Sequence, residues 1–405
     1  MKFLFHPEAP AYDTQAIHDT IQRALKSAGL DTRSGPMQDA RKTIRRALSA
    51  AGLPAQPLRP REATADVIDA GSRWVDGANE QGQAATAGPD SAPPQAPAAD
   101  GLQQFRNRAG HLAYKVHVPA QASTGLRPLV VMLHGCTQSA DDFAAGTRMN
   151  LLADAHNLLV VYPEQAAHAN PSRCWNWFRP QDQVRDGGEP SMIAGIVREV
   201  AARHGADPQR IFVAGLSAGG AMAVVLGQTY PDLFAGVGVH SGLPYASAQD
   251  MATALAAMKG GRSGLPGARP ATSAAKAAKA ARAANEQAAK PVPVIVFHGD
   301  RDHTVQQANG AAIVRQTQTA YQAMADAPAL QAHTQAGQAS GGRRYSRTIH
   351  ADAAGQAHIE SWTLHGAGHA WSGGDSCGTY TDGTGPDASA EMVRFFLALP
   401  RRPAA

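Results

Sequence analysis

Ser217 lies in the run Gly215-Leu216-Ser217-Ala218-Gly219, between an apolar stretch and an Ala-rich one. Glycines two residues before and two after a serine leave room for a tight strand-to-helix turn. Such a turn holds the hydroxyl exposed in a strained conformation. It also places the Ala218 N–H at a helix N-terminus, where the dipole favours a developing oxyanion. The chemistry this predicts is nucleophilic attack on an acyl carbon, which also needs a base and an acid to orient it. His369 follows the Gly-rich stretch His365-Gly366-Ala367-Gly368 and is the expected base. Asp300 and Asp302 compete for the acid in His298-Gly299-Asp300-Arg301-Asp302. Asp302 lies beyond the tight turn, and Asp300 is expected to cap that turn through local N–H groups. Leu133-His134-Gly135-Cys136 follows an earlier apolar run, so the Cys136 N–H is the expected second oxyanion donor. His134 comes too early for the chain order Ser…Asp…His and reads as structural, as does His365 at a strand end. His365 and His369 have the i, i+4 spacing of a zinc pair. Two glycines between them argue against a helix, so no metal or other cofactor is expected.

Several elements must position these groups. Residues 110–118 alternate like a strand, and 129–133, 158–162, 211–214, 237–239 and 294–297 are short apolar runs typical of buried parallel strands. Helices are predicted over 143–156, 191–204, 218–230, 307–324 and 386–399, and a hairpin over 344–349 and 357–364 about a DAAGQ turn. Alternation of strands and helices implies an α/β class, a mostly parallel sheet with helices on both faces. Residues 246–291 are Ala-rich and break the rhythm; a surface insertion is expected, with a lid over the site as the alternative, and 275–289 reads as a solvated helix.

Trp175, Trp177, Phe178 and Trp371 occupy two loops, one of which abuts His369. Loop aromatics beside a nucleophile suggest a wall for an acyl chain or aromatic ester. Trp175, Trp177 and Trp371 are therefore substrate-binding candidates, and His240, at the end of the 237–239 strand, is grouped with them.

The 405 residues are 43% apolar and 17% charged, with 40 Gly and 27 Pro, enough for a sizeable core in a loop-rich globular enzyme. A net charge of +4, with Lys and Arg spread along the chain, argues against a nucleic-acid partner. No apolar run is long enough for a membrane span. Three cysteines exclude a disulfide scaffold and a four-Cys zinc site. Residues 1–75 read as a helical extension. Ile21 to Leu30 is echoed by Ile44 to Leu53, two short amphipathic segments each ending at a glycine. Docking on a granule or partner surface is one reading of 14–54; a helical hairpin packed on the main domain, or a mostly disordered segment, is the other. Residues 76–101 are a flexible Pro/Ala-rich linker, and a catalytic domain is expected over 102–400.

From about 105 to 397 the chain resembles the esterase family of poly(3-hydroxybutyrate) depolymerases, whose relatives include feruloyl and acetyl-xylan esterases. The resemblance rests on Leu133-His134-Gly135-Cys136-Thr137-Gln138, Cys174-Trp175-Asn176-Trp177-Phe178, Gly215 to Gly220, His298 to Val305, and Gly368-His369-Ala370-Trp371-Ser372-Gly373-Gly374. It implies an α/β-hydrolase fold and a serine esterase acting on polyester or a small ester. It places the acid on Asp302 and the base on His369. Cys136 and Cys174 fall inside these family-like motifs; a disulfide between them and two reduced buried thiols are both open. The first residues lack the apolar core of a signal peptide, so a cytoplasmic location is expected. The resemblance implies an extracellular one as the alternative.

Overall fold

The computed structural model describes residues 101–402, apart from 122, 124 and 261–290. The expected helical extension, most of the linker and the helix over 275–289 lie outside the described residues.

The chain order is β1 (Gln103–Asn107), β2 (Gly110–His117), β3 (Arg127–Leu133), α1 (Ala140–Thr147), α2 (Met149–His156), β4 (Leu159–Glu164), α3 (Gly188–His204), β5 (Ala206–Leu216), α4 (Ala218–Thr229), β6 (Gly236–His240), α5 (Met251–Met258), β7 (Val294–Gly299), α6 (Ala308–Gln322), β8 (Gln331–Gln338), β9 (Arg344–Ala351), β10 (Ala357–Leu364), β11 (Trp371–Ser372), β12 (Thr381–Asp382) and α7 (Ala388–Ala398). Ten strands form one sheet in the order β1-β2-β4-β3-β5-β6-β7-β10-β9-β8. Its middle, from β4 to β10, is parallel, and antiparallel pairs close both edges. This is the α/β-hydrolase architecture.

Successive side chains of a strand point to opposite faces, so a central strand covered on both sides must be apolar throughout. β3 does this. Leu129, Val131 and Leu133 pack with Ile193 and Val197 of α3 and Met222 and Leu226 of α4. Val130 and Met132 pack on the other face with Phe143 of α1, Met149 of α2, and Met392 and Phe396 of α7. Burying each such side chain contributes roughly 1.5–3 kcal/mol, so the paired layers fix the C-terminal ends of β3, β5, β7 and β10.

Some elements differ from expectation. The helix expected over 143–156 is two helices, broken at Arg148, which adopts a left-handed φ of 54°. Its guanidinium donates to the Gly373 carbonyl and to Asp387, contacts far along the chain that hold the break. The expected hairpin is β9 and β10, with Asp352 Oδ1 accepting from Ala354 and Gln356 N–H in the turn. A further strand, β8, pairs with β9 and is exposed along nearly its whole length. β1 was likewise not expected. Part of the Ala-rich insertion is helix α5, whose Asp250 and Thr253 form a reciprocal capping box.

Glu360 of β10 is fully buried. Its carboxylate accepts from Arg347 of β9 on both oxygens at 2.9 Å, from Arg394 of α7, and from the Trp362 indole at 2.8 Å. It therefore ties β9 and α7 to the strand that leads to His369. Glu360→Ala removes this tie, although both arginines are partly exposed and can regain water. The expected loss of unfolding free energy in urea is roughly 2–4 kcal/mol. A loss within experimental error would show that the cluster does not secure β10.

Candidate active site

β5 ends at Leu216 and α4 begins at Ala218, leaving Ser217 alone at the corner with φ 58° and ψ −118°. That is a strained conformation for a residue with a side chain, held by Ser217 N–H donating to the His240 carbonyl at 2.9 Å. The Ser217 side chain makes no capping bond to the helix that follows, so its hydroxyl is not consumed locally. The glycines have a steric reason. A Cβ on Gly219 would lie 2.1 Å from the Leu133 carbonyl oxygen, and one on Gly215 would lie 2.4 Å from the Gly219 carbonyl carbon.

The same close approach brings the loop after β3 to the elbow. Among the described residues, neither the Cys136 nor the Ala218 N–H meets an acceptor. Two free N–H groups beside a serine are what an oxyanion needs. The loop around Cys136 is held from several directions. Gly135 N–H donates to Gln138 Oε1 at 2.8 Å, Thr137 N–H donates to the Ser172 carbonyl at 2.7 Å, and a disulfide joins Cys136 to Cys174. Buried His134 donates through Nδ1 to the Gly135 carbonyl and accepts at Nε2 from Gln165 N–H. Burial lowers its pKa and keeps the ring neutral.

Asp302 sits just past β7 and is buried. Its Oδ1 accepts from Thr304 and Val305 N–H at 2.9 and 2.8 Å. Its Oδ2 lies 2.6 Å from His369 Nδ1. Burial pushes this carboxyl up, but the hydrogen bond and charge of His369, with the Val305 N–H, outweigh it and hold it below the usual range. His369 comes from the loop after β10 and keeps 12% of its side chain exposed, enough to reach a substrate. Backbone bonds from Asp300 N–H to Leu364 and from Arg301 N–H to Ala367 join the acid loop to the base loop. No described hydrogen bond joins Ser217 Oγ to His369, so that last link has to tighten when substrate binds.

Asp300 does not cap its own turn as expected. It reaches across to the base loop, with Oδ1 accepting from Gly366 N–H at 2.7 Å and Oδ2 3.0 Å from His365 Nδ1. The local cap belongs to Asp302 itself. The sequence reading also missed His298, buried four residues before Asp302, whose Nε2 donates to the Val305 carbonyl at 2.8 Å and stands 3.6 Å from Asp302 Oδ2. Its spacing to Asp302 within the same turn was the available signal.

The aromatic wall is corrected. Trp175 is fully buried and its indole donates to the His134 carbonyl at 3.0 Å. Trp371 is 1% exposed, donates to Ser389 Oγ, and packs on Phe143 and His240. His240 is fully buried, stacks on Phe297 and accepts at Nε2 from Ser372 N–H. Trp177 is buried edge-on to Phe178. These side chains are the floor beneath the loops and offer almost no surface to a ligand. Among the described residues, no group of three or more His, Cys, Asp or Glu could hold a metal ion, and no helix is long and apolar enough to cross a membrane.

A strained Ser217 elbow, two N–H groups without acceptors and an Asp302–His369 pair thus come together on one α/β-hydrolase sheet. Residues 112–338, more than half of the chain, match the family described as esterase PHB depolymerase, and the chain belongs to that family. It is 34% identical to poly(3-hydroxyalkanoate) depolymerase C of Paucimonas lemoignei over 69% of this chain and 64% of that one. It is 33% identical to feruloyl esterase B of Neurospora crassa over 36% of this chain and half of that one. The chain thus spans less than two thirds of the length of these curated relatives. In fold it is similar to an acetyl xylan esterase from Aspergillus awamori, with a TM-score of 0.56 and 21% identity over 74% of this chain and 99% of that one.

Two predictions arise from the geometry. Asp302→Asn is expected to lower ester turnover on the order of 10³–10⁴-fold, because the imidazole loses the partner that fixes its tautomer. Asp300→Asn should cost less than about tenfold, and the reverse ranking in kcat would exchange the roles. The second concerns pH. Burial lowers the His240 pKa from 6.5 to about 3, with His298 and His369 pushing the same way. The folded state therefore binds this proton less readily than the unfolded one. The stabilisation is whole above pH 6.5 and is lost as pH falls toward 3. His240→Gln keeps an acceptor for Ser372 but does not titrate. The Tm gap between wild type and this variant should narrow as pH drops from 7 to 4, and a constant gap would refute a neutral buried His240.

Proposed function

We propose that this protein is a serine esterase that cleaves ester bonds of a poly(3-hydroxyalkanoate) or its oligomers. The observation that carries the reading is the 2.6 Å Asp302–His369 pair beside a strained, uncapped Ser217. His369 Nε2 takes the Ser217 proton as Oγ bonds to the ester carbonyl carbon. The oxyanion is held by the Cys136 and Ala218 N–H groups. His369 returns the proton to the leaving alkoxide, and the ester C–O bond breaks to leave an acyl-serine. Water, deprotonated by His369, then attacks the acyl carbon, releasing the acid and restoring Ser217.

The polyester reading is supported by the relative from Paucimonas lemoignei, whose match covers about twice as much of this chain as the feruloyl esterase match. A feruloyl or acetyl-xylan ester is the second reading, favoured by the fold likeness that spans 99% of an acetyl xylan esterase. The Cys136–Cys174 disulfide supports an oxidising compartment over the cytosol.

The test runs amorphous polyhydroxybutyrate, a feruloyl ester and acetylated xylan in parallel, with p-nitrophenyl butyrate as a neutral probe. Polyester is expected to be the preferred substrate. Ser217→Ala and His369→Ala should each lower turnover roughly 10⁴-fold or more. Near-normal activity in either variant would remove the mechanism. A clear preference for a polysaccharide ester would replace the substrate.

A further inference from the structure

Beyond the acid and base loops lies a cleft of about 820 Å³, walled by Asp300, Arg301, Arg343, Arg344 and His365, with glycines such as Gly341 and Gly342 on its rim. Its charges are not all matched. Arg343 is held, pairing with Asp382 at 2.8 Å and donating to the His365 carbonyl and Thr384. Arg301 and Arg344 meet no carboxylate among the described residues. His365 is fixed from both sides, by Asp300 at Nδ1 and by Ser346 Oγ at Nε2, 2.9 Å away. With Asp300 and Asp382 set against three arginines, the walls carry about one net positive charge. A single monoanion fits that balance, whereas a phosphate dianion would face the Asp300 carboxylate unmatched.

The structure assigns this cleft to a carboxylate ligand, and we infer that it receives the free acid end of an oligoester or the hydroxy acid that hydrolysis releases. The assignment rests on the esterase reading above and names a second subsite for it. Two guanidinium groups offer the paired donors a carboxylate prefers. A volume within the range of small-molecule sites leaves room for an oligomer of a few units. Position also favours it. Asp300 and Gly366 line the cleft and bond to each other across the loops that carry Asp302 and His369. An acid end seated here would sit on the same two loops as the triad. Poly(3-hydroxyalkanoate) fragments have one carboxylate per chain, while the ester bonds themselves are neutral, so the cleft would read the chain end and not the repeat.

The experiment uses the full chain carrying Ser217→Ala, so that no ligand is consumed. Calorimetric titration compares the free-acid dimer of 3-hydroxybutyrate, its methyl ester and inorganic phosphate. The acid is expected to bind at least tenfold more tightly than the methyl ester and than phosphate. Adding Arg301→Gln and Arg344→Gln should weaken the acid at least tenfold and leave the methyl ester unchanged, with circular dichroism confirming the fold. Equal binding of acid and ester overturns the assignment. So does phosphate binding as tightly as the acid, or acid binding that survives both substitutions. Hydrolysis of p-nitrophenyl butyrate by the wild type is scored separately. Its absence would sink the esterase reading and leave the binding result standing. Hydrolysis without acid-selective binding would sink only the cleft.

Discussion

The first turn of α4 lies against the end of β3 closely enough that only glycine fits. The Leu133 and His134 carbonyl oxygens would stand 2.1 and 2.5 Å from any Cβ on Gly219. Everything that makes Ser217 a candidate nucleophile depends on this approach. It lets the chain turn from strand to helix in one residue, at a positive φ of 58° that is strained for a residue with a side chain. It also sets the loop after β3, which carries Cys136, against the N-terminal turn of the helix that begins at Ala218. A methyl group on Gly219 would push the loop and the helix apart.

Asp300 and Asp302 divide the work between them although they are two residues apart. Asp302 is buried, bonds local amides with one oxygen and His369 with the other. Asp300 is partly exposed and spends both oxygens on the loop that carries His369. One orients the imidazole, and the other fixes the loop from which the imidazole projects. Gly299 makes the junction possible, since a Cβ there would lie 2.3 Å from the Ala367 carbonyl oxygen. The acid and base loops therefore behave as one unit, with the cleft lined by Arg301 and Arg344 on its flank.

Central strands were readable because burial on both faces demands unbroken apolar runs, as in β3 and β4. Edge strands escaped for the opposite reason. β8 is Gln331-Ala332-His333-Thr334-Gln335-Ala336-Gly337-Gln338, with no apolar face, and it exists because β9 offers it a partner, including Thr334 to Thr348. The break at Arg148 depends on Gly373 and Asp387, which no local window contains. Ser217 was legible because its geometry is set by neighbours in sequence. The separate tasks of Asp300 and Asp302 are set by His365, Gly366 and His369, more than sixty residues later. The tryptophans were misread because loop position says nothing about depth. Trp175 in its loop and Trp371 in the two-residue β11 both fill the interior, and their indole N–H groups find partners there.

Histidine does in this fold what neither an amide nor an apolar ring would do as well. His134 holds the Cys136 loop to the residue after β4 by donating on one side and accepting on the other. His240 accepts from Ser372 while its face packs on Phe297 and Trp371. His298 closes the Asp302 turn through Val305. All three are buried, and burial lowers all three pKa values. That direction serves the structure. The acceptor role of His134 and His240 requires a bare nitrogen, which a protonated ring lacks. A positive ring at His298 or His240 would also compete for Asp302, whose charge the imidazolium of His369 needs when Ser217 gives up its proton. Keeping these rings neutral leaves the Asp302 carboxylate committed to His369, so the buried floor and the reacting groups are coupled through charge as well as through packing.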